Sequence, residues 1–166
     1  ERAEEDAVEL LRAEGSDFEQ AVWADVRVGD VVRIRDRQAF PADVLLLRAS
    51  DPDAGQCWVN TKPIDGESDT KLRLALRATT ELLPDAEAAT LRAVLKGHVL
   101  SEAPNDKVND FSGQLCLAGR EPVLLARQNV CLRGCQLRST DWMVGLVLLT
   151  GSDTKANCGS STMTQP

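Results

Sequence analysis

Aromatic residues are scarce in this 166-residue sequence, at 4% of positions, so it lacks the stacking platform that a sugar-binding cleft would need. Basic charge is not in excess either. Lys and Arg number 19 against 26 Asp and Glu, and at a formal net charge of -7 a phosphate backbone is repelled rather than gathered. Nucleic acid is therefore not an expected partner. The most apolar stretch near the C-terminus, Met143 to Gly151, falls far short of the roughly 20 residues that cross a bilayer. The first residues are charged rather than signal-like, so a soluble chain is expected. No CxxC pair occurs among Cys57, Cys116, Cys131, Cys135 and Cys158. An odd number of cysteines in apolar, strand-like contexts suits reduced, buried thiols and a cytosolic setting. Cys131 and Cys135 have no second Cys/His pair nearby, so no metal site is expected, and the single histidine, His98, is expected at a strand start.

What is present is 43% hydrophobic content, enough for one medium domain with its own core. Glu1 to Gly15 places Ala3, Ala7, Leu10 and Leu11 near helical spacing and predicts a short amphipathic helix. From Val26 onward, seven short runs rich in Val, Leu and Ile are separated by Gly, Asp, Pro and Asn. One helix is expected to interrupt them near 85–96, with Asp85 as N-cap, Leu91, Val94 and Leu95 as its apolar stripe and Gly97 beyond its end. The fold class that follows is mainly β with a few helices, in a sandwich or jelly-roll arrangement. Gly29-Asp30 and Pro41 read as turn and bend residues, Asp43 as a partner for local backbone, and Trp23, Trp58 and Trp142 as packing residues.

Residues 62–71, KPIDGESDTK, carry Asp65, Glu67 and Asp69 around Gly66. An ordinary connection with solvated charges explains Asp65-Gly66 as a turn dipeptide. A calcium loop fits poorly, because the glycine is misplaced and the helix-loop-helix frame is missing. A carboxylate pair for glycoside cleavage lacks any aromatic support. A further reading makes Gly66-Glu67 an exposed tip: the glycine lets backbone approach a phosphate held elsewhere, and Glu67 orients or deprotonates a water. The simplest role of Lys71 and Arg73 is to offset the acidic charge and pair with nearby acids, while Arg133 and Arg138 either contact another domain or satisfy loop carbonyls.

Asp65 to Ser68, DGES, resembles the actuator-domain signature of P-type ATPases. Asp65 matches the lipid-flippase branch, and Ser68 replaces its threonine. The likeness extends, in order, through Val22–Ile34, Phe40–Leu47, Asn60–Leu76, Ala103–Gly113 and Asn129–Lys155, with Ser139 where asparagine is usual. The resemblance implies a distorted jelly-roll-like actuator domain on the cytosolic face of a multi-pass membrane protein. It also implies a linker helix over 1–20, a β-core over 21–156 and a tail over 157–166 that departs from the family pattern. Asp65, Gly66, Glu67 and Ser68 would be the catalytic tip, acting on an aspartyl phosphate in another domain. No cofactor is expected in this domain, with ATP and Mg2+ used by the parent protein. Implied partners are the parent's phosphorylation and nucleotide domains, a phospholipid bound through membrane helices outside this chain, and an accessory β-subunit. The isolated chain would not hydrolyse ATP. A non-catalytic regulatory module that keeps the actuator fold is the alternative, and a free-standing acid hydrolase a third.

Overall fold

The computed structural model describes residues 7–51 and 55–156. Cys158, the tail and the first six residues of the expected N-terminal helix lie outside them. The described residues form twelve strands in three antiparallel sheets. The largest has the order β10-β4-β12-β3-β1-β2, built from Val130–Cys131, Asp43–Ala49, Trp142–Leu149, Val31–Arg35, Ala7–Leu11 and Glu19–Val22. A second sheet joins β11 (Gln136–Arg138), β5 (Gln56–Asn60) and β6 (Thr70–Leu74), and a third joins β7 (Gly97–Ser101), β8 (Ser112–Leu117) and β9 (Val123–Ala126). Three short helices are interposed: α1 (Lys62–Asp65), α2 (Arg77–Leu82) and α3 (Ala88–Val94). The architecture is mainly β with a few helices, as its composition and turn punctuation indicate.

Strand β4 occupies an interior position and buries all of its residues except Arg48, so it reads as an almost unbroken apolar run. Its neighbour β12 comes equally close. A Cβ added to Gly145 would lie 2.9 Å from a Val44 methyl, so the sheet needs glycine there. One hydrophobic cluster, including Leu10, Ile34, Leu45, Val59, Leu91, Leu115 and Leu137, draws on all three sheets and gives the described residues a common core.

Residues 7–11 correct the helix expected there. Val8 and Leu10 are buried while Glu9 points the other way, a period of two. Glu9 accepts from Arg33 at 3.1 Å and Arg35 at 2.8 Å on the paired strand β3. These cross-strand partners override a spacing that is locally ambiguous between helix and strand. The inserted helix is found, but as Ala88–Val94. Asp85 does not cap it. The Asp85 carboxylate accepts the Glu87 amide at 3.0 Å and shapes the turn before the helix. Helix α2 was not anticipated: Thr79 is buried and donates to Leu47 O at 3.1 Å, a tertiary contact without local signature.

Trp23 and Trp142, both half-buried, pack against the core cluster as expected, whereas Trp58 is half-buried but lies outside it. Cys57, Cys131 and Cys135 are buried free thiols and Cys116 is half-buried. Burial and the neighbouring Cys131 push the Cys135 thiol up to about 12, which keeps it protonated and inert at neutral pH. His98 does fall at a strand start, second in β7.

Ser139, just after β11, has φ +52, in the left-handed region that costs an L-residue about 1–2 kcal/mol and that asparagine tolerates better. Ser139→Asn is expected to stabilise the chain by about 0.5 kcal/mol, raising Tm by a degree or two in a melt of the 166-residue chain. An unchanged or lower Tm would contradict that backbone argument.

Candidate functional site

The acidic stretch connects the neighbouring strands β5 and β6, whose last registered pair is Asn60 with Thr70. A two-residue turn would join such a pair, yet the chain spends residues 61–69 on the connection. Thr61 is buried, and Ile64 and Asp65 return their amides to its carbonyl at 2.9 and 3.0 Å, closing the single turn of α1. Pro63 suits this first helical turn, where its missing N–H is not needed. Gly66 ends the turn at φ +76, ψ -2, with its amide bonded to Lys62 O at 2.9 Å.

Asp65 is committed to holding this shape. Its carboxylate accepts the Thr61 hydroxyl at 2.9 Å and the Glu67 amide at 2.9 Å, and Lys71 Nζ lies 3.5 Å away. The Glu67 amide is the largest influence; with the Thr61 hydroxyl and Lys71 it outweighs the opposing desolvation and holds the Asp65 carboxyl below the ordinary aspartate range. Glu67 lies one residue past the glycine. Its side chain is 61% exposed and its carboxylate is paired with Lys71 Nζ. That hydrogen bond is the main cause raising Lys71 above the usual lysine value, with the charges of Asp65 and Glu67 adding to it. Ser68 and Asp69 are exposed.

The structure thus brings Asp65, Gly66 and Glu67 into one unit, with Lys71 joining the two carboxylates. The carboxylates converge on an ammonium, so they do not form a cation cage. Among the described residues no group of three or more His, Cys, Asp or Glu side chains could hold a metal ion. Arg73 does not share the work of Lys71: its NH1 donates to Leu72 O and its Nε, buried, has no partner. Strand register explains the difference, since Arg73 faces the buried Cys57 and lies away from the turn. Arg133 stacks 5.3 Å from the Trp23 ring and Arg138 bonds Gln136, so neither side chain serves loop carbonyls. Sequence reasoning missed Thr61, whose buried hydroxyl fixes Asp65; a threonine four residues before an aspartate was its only local sign.

A second cluster joins blocks that are far apart in sequence. Asp43, 1% exposed, accepts the amide of Arg133 at 2.9 Å and of Lys155 at 2.8 Å. The expectation of a local backbone partner for Asp43 is thereby corrected. Burial raises its carboxyl above the ordinary aspartate value, against the two amides that stabilise its charge. Lys155 Nζ, beneath the surface, reaches Glu102 at 2.7 Å and Asn105 at 2.8 Å. The segments around Asp43, Asn105, Arg133 and Lys155 are one polar junction.

A mainly β domain with an Asp-Gly-Glu-Ser tip on a hairpin defines an actuator domain of the P-type ATPase kind. The chain is 39% identical over 139 residues to human phospholipid-transporting ATPase VA, covering 84% of this chain and 9% of that protein. It is 40% identical over 138 residues to mouse phospholipid-transporting ATPase ID, and 34% identical over 147 residues to phospholipid-transporting ATPase DRS2 of Saccharomyces cerevisiae. These matches cover 83% and 89% of this chain and 11% and 10% of the relatives. A crystal structure of a zinc-transporting PIB-type ATPase in its E2.Pi state aligns over 92% of this chain and 15% of its own, with TM-score 0.49 and 14% identity. No protein-family model matches the chain. The chain belongs to the phospholipid-transporting branch of the P-type ATPases, as an actuator domain. It spans about a tenth of the length of the relatives it matches. Among the described residues no helix is long and apolar enough to cross a membrane.

Proposed function

We propose that this chain is the cytosolic actuator domain of a phospholipid flippase, and that its 65–68 turn drives dephosphorylation of an aspartyl-phosphate intermediate carried by another domain of the parent. The observation that supports this most is the geometry of the turn: Gly66 at φ +76 projects Glu67, 61% exposed, beyond a scaffold braced from within by Asp65. Gly66 would let backbone approach the phosphate. Glu67 would accept the proton of a water whose oxygen attacks phosphorus, as the bond from phosphorus to the aspartyl oxygen breaks. Asp65 acts as a positioning residue, and Ser68 offers a hydroxyl beside the carboxylate. ATP and Mg2+ belong to the parent's phosphorylation and nucleotide domains, the partners of this surface. The lipid meets membrane helices outside this chain, where an accessory β-subunit would also bind. Turning of the domain couples phosphate loss to lipid movement.

The test is a chase of the phosphoenzyme in the full-length parent, wild type against Glu67→Gln. Slow decay confined to the mutant supports the assignment. Ordinary decay in the mutant removes Glu67 from catalysis, and a wild type that forms no phosphoenzyme points to a regulatory module with the actuator fold. Gly66→Ala separates shape from chemistry. A Cβ there meets nothing within 4 Å, but φ +76 strains any L side chain by about 1–2 kcal/mol. A modest fall in Tm of the chain with slowed phosphoenzyme decay is expected; a fall in Tm with normal decay would leave Gly66 a turn residue only.

A further inference from the structure

A cleft of about 580 Å³ opens between the six-stranded sheet, the C-terminal end of α3 and the β7–β8 hairpin. Its size lies in the range of small-molecule sites, and such sites are apolar with a few convergent polar groups. Leu95, Val99 and Leu146 line it and are half-buried, backed by the buried Leu11, Leu91 and Leu115.

The charge around the cleft is one-sided. Arg12, Arg92 and Lys96 line it and no Asp or Glu does, in a chain whose net charge is -7. Arg12 is already neutralised, by Asp30 at 3.1 Å and Glu19 at 3.7 Å. Arg92 is not: its guanidinium donates to the carbonyls of Arg12 and Ala13, which fix its position without cancelling its charge. Lys96 is exposed, and among the described residues neither Arg92 nor Lys96 has a carboxylate at ion-pair distance. Both follow from α3 and its end, so two uncompensated cations sit together beside an apolar wall.

We propose that this cleft binds a single-chain anionic amphiphile of the fatty-acid class, with its tail against the leucines and its carboxylate beside Arg92 and Lys96. A neutral amphiphile would leave the two cations without a partner, and a cationic one would be repelled. A free phosphate or short carboxylate would satisfy the charges but leave the apolar wall open. The inference rests on the cleft alone and is independent of the role given to Glu67.

The test is titration calorimetry of the 166-residue chain, whose one core unites its sheets, with dodecanoate, octanoate, dodecanol and dodecylammonium below their micelle concentrations. One dodecanoate per chain is expected, with affinity falling about fourfold for each methylene removed, hence about 10²-fold for octanoate. Lys96→Glu, at an exposed position that folding does not need, should weaken dodecanoate about fivefold and leave dodecanol unaffected. Ser101→Trp, exposed and lining the cleft, should block every amphiphile while the melting transition stays cooperative. Equal binding of dodecanol or dodecylammonium overturns the proposal. So does binding of several molecules per chain with loss of the melting transition, which would be surfactant denaturation. Absence of any binding also overturns it.

Discussion

In the full-length parent, Glu67→Gln is expected to slow decay of the phosphoenzyme by about 10²- to 10⁴-fold, the usual contribution of a positioned carboxylate base, while its formation from ATP proceeds at close to the normal rate. The substitution is chosen for what it leaves alone. Asp65 accepts the Glu67 main-chain amide, so the turn keeps that bond whatever the side chain is. Glutamine still offers Lys71 an oxygen, and the exposed position tolerates its amide. The turn therefore keeps its shape, and the loss falls on proton transfer and on charge next to the phosphate. Asp65→Ala is the contrasting variant. It strips the acceptor from the buried Thr61 hydroxyl and from the Glu67 amide, so it should slow decay and also lower the Tm of the chain. Rapid-quench decay curves and thermal melts distinguish the two. If Glu67→Gln cost as much stability as Asp65→Ala, the turn would be a structural element rather than a reactive tip.

Lys71 holds Glu67 in an ion pair within the turn. Exposed pairs of this kind contribute little to stability. The pair can therefore open when a phosphate approaches, and its ammonium is then free to face the same anion. The expectation that Lys71 offsets the acidic charge survives as geometry, whereas Arg73, two residues on and in register with Cys57, is half-buried on the edge strand β6 away from the turn.

How much of this was legible in the sequence depends on the range of the interactions. The strands from Val31 to Asn60 and from Ser112 to Leu149, Gln136–Arg138 excepted, announce themselves through apolar runs cut by Gly, Asp and Pro, which act locally. The turn at 62–69 is legible for the same reason, since Asp65 and Gly66 do their work within four residues. Ala7–Leu11 is not legible, because Glu9 finds Arg33 and Arg35 only after the sheet has formed. Asp43 was misread by the same mechanism: its partners Arg133 and Lys155 lie 90 and 112 residues away. Nothing local indicates that three of the sequence blocks that resemble the family, Phe40–Leu47, Ala103–Gly113 and Asn129–Lys155, meet at a buried junction.

That junction makes the second large prediction, and it is asymmetric. The Lys155 side chain is 1% exposed, while its partner Glu102 is 27% exposed. Removing the carboxylate with Glu102→Ala leaves an ammonium under the surface without its ion-pair partner, held by Asn105, the face of Phe111 at 5.8 Å and the longer-range charge of Asp43. Loss of one partner of a buried pair typically costs about 3–5 kcal/mol, and here the abandoned group is the buried one. Lys155→Met instead leaves Glu102 able to reach water and fills the space with an unbranched apolar chain, so it should cost about 1–2 kcal/mol. Glu102→Ala is thus expected to lower Tm by about 6–15 °C and Lys155→Met by several degrees at most. Acid should act on the same link. Burial pushes the Glu102 carboxyl up, but the Lys155 and Asn105 hydrogen bonds and the lysine charge outweigh it and hold it below the ordinary glutamate value. Because its folded value is depressed, the stabilisation is present above the unfolded glutamate value and is lost as pH falls through the folded one. The double variant Glu102→Ala/Lys155→Met should be less sensitive to acid than wild type over that window and more stable than Glu102→Ala alone, since it no longer buries a charge without a partner. If Lys155→Met proved the more damaging of the two single changes, the ammonium would matter more to the junction than Glu102 does, through its charge beside the buried Asp43 carboxylate.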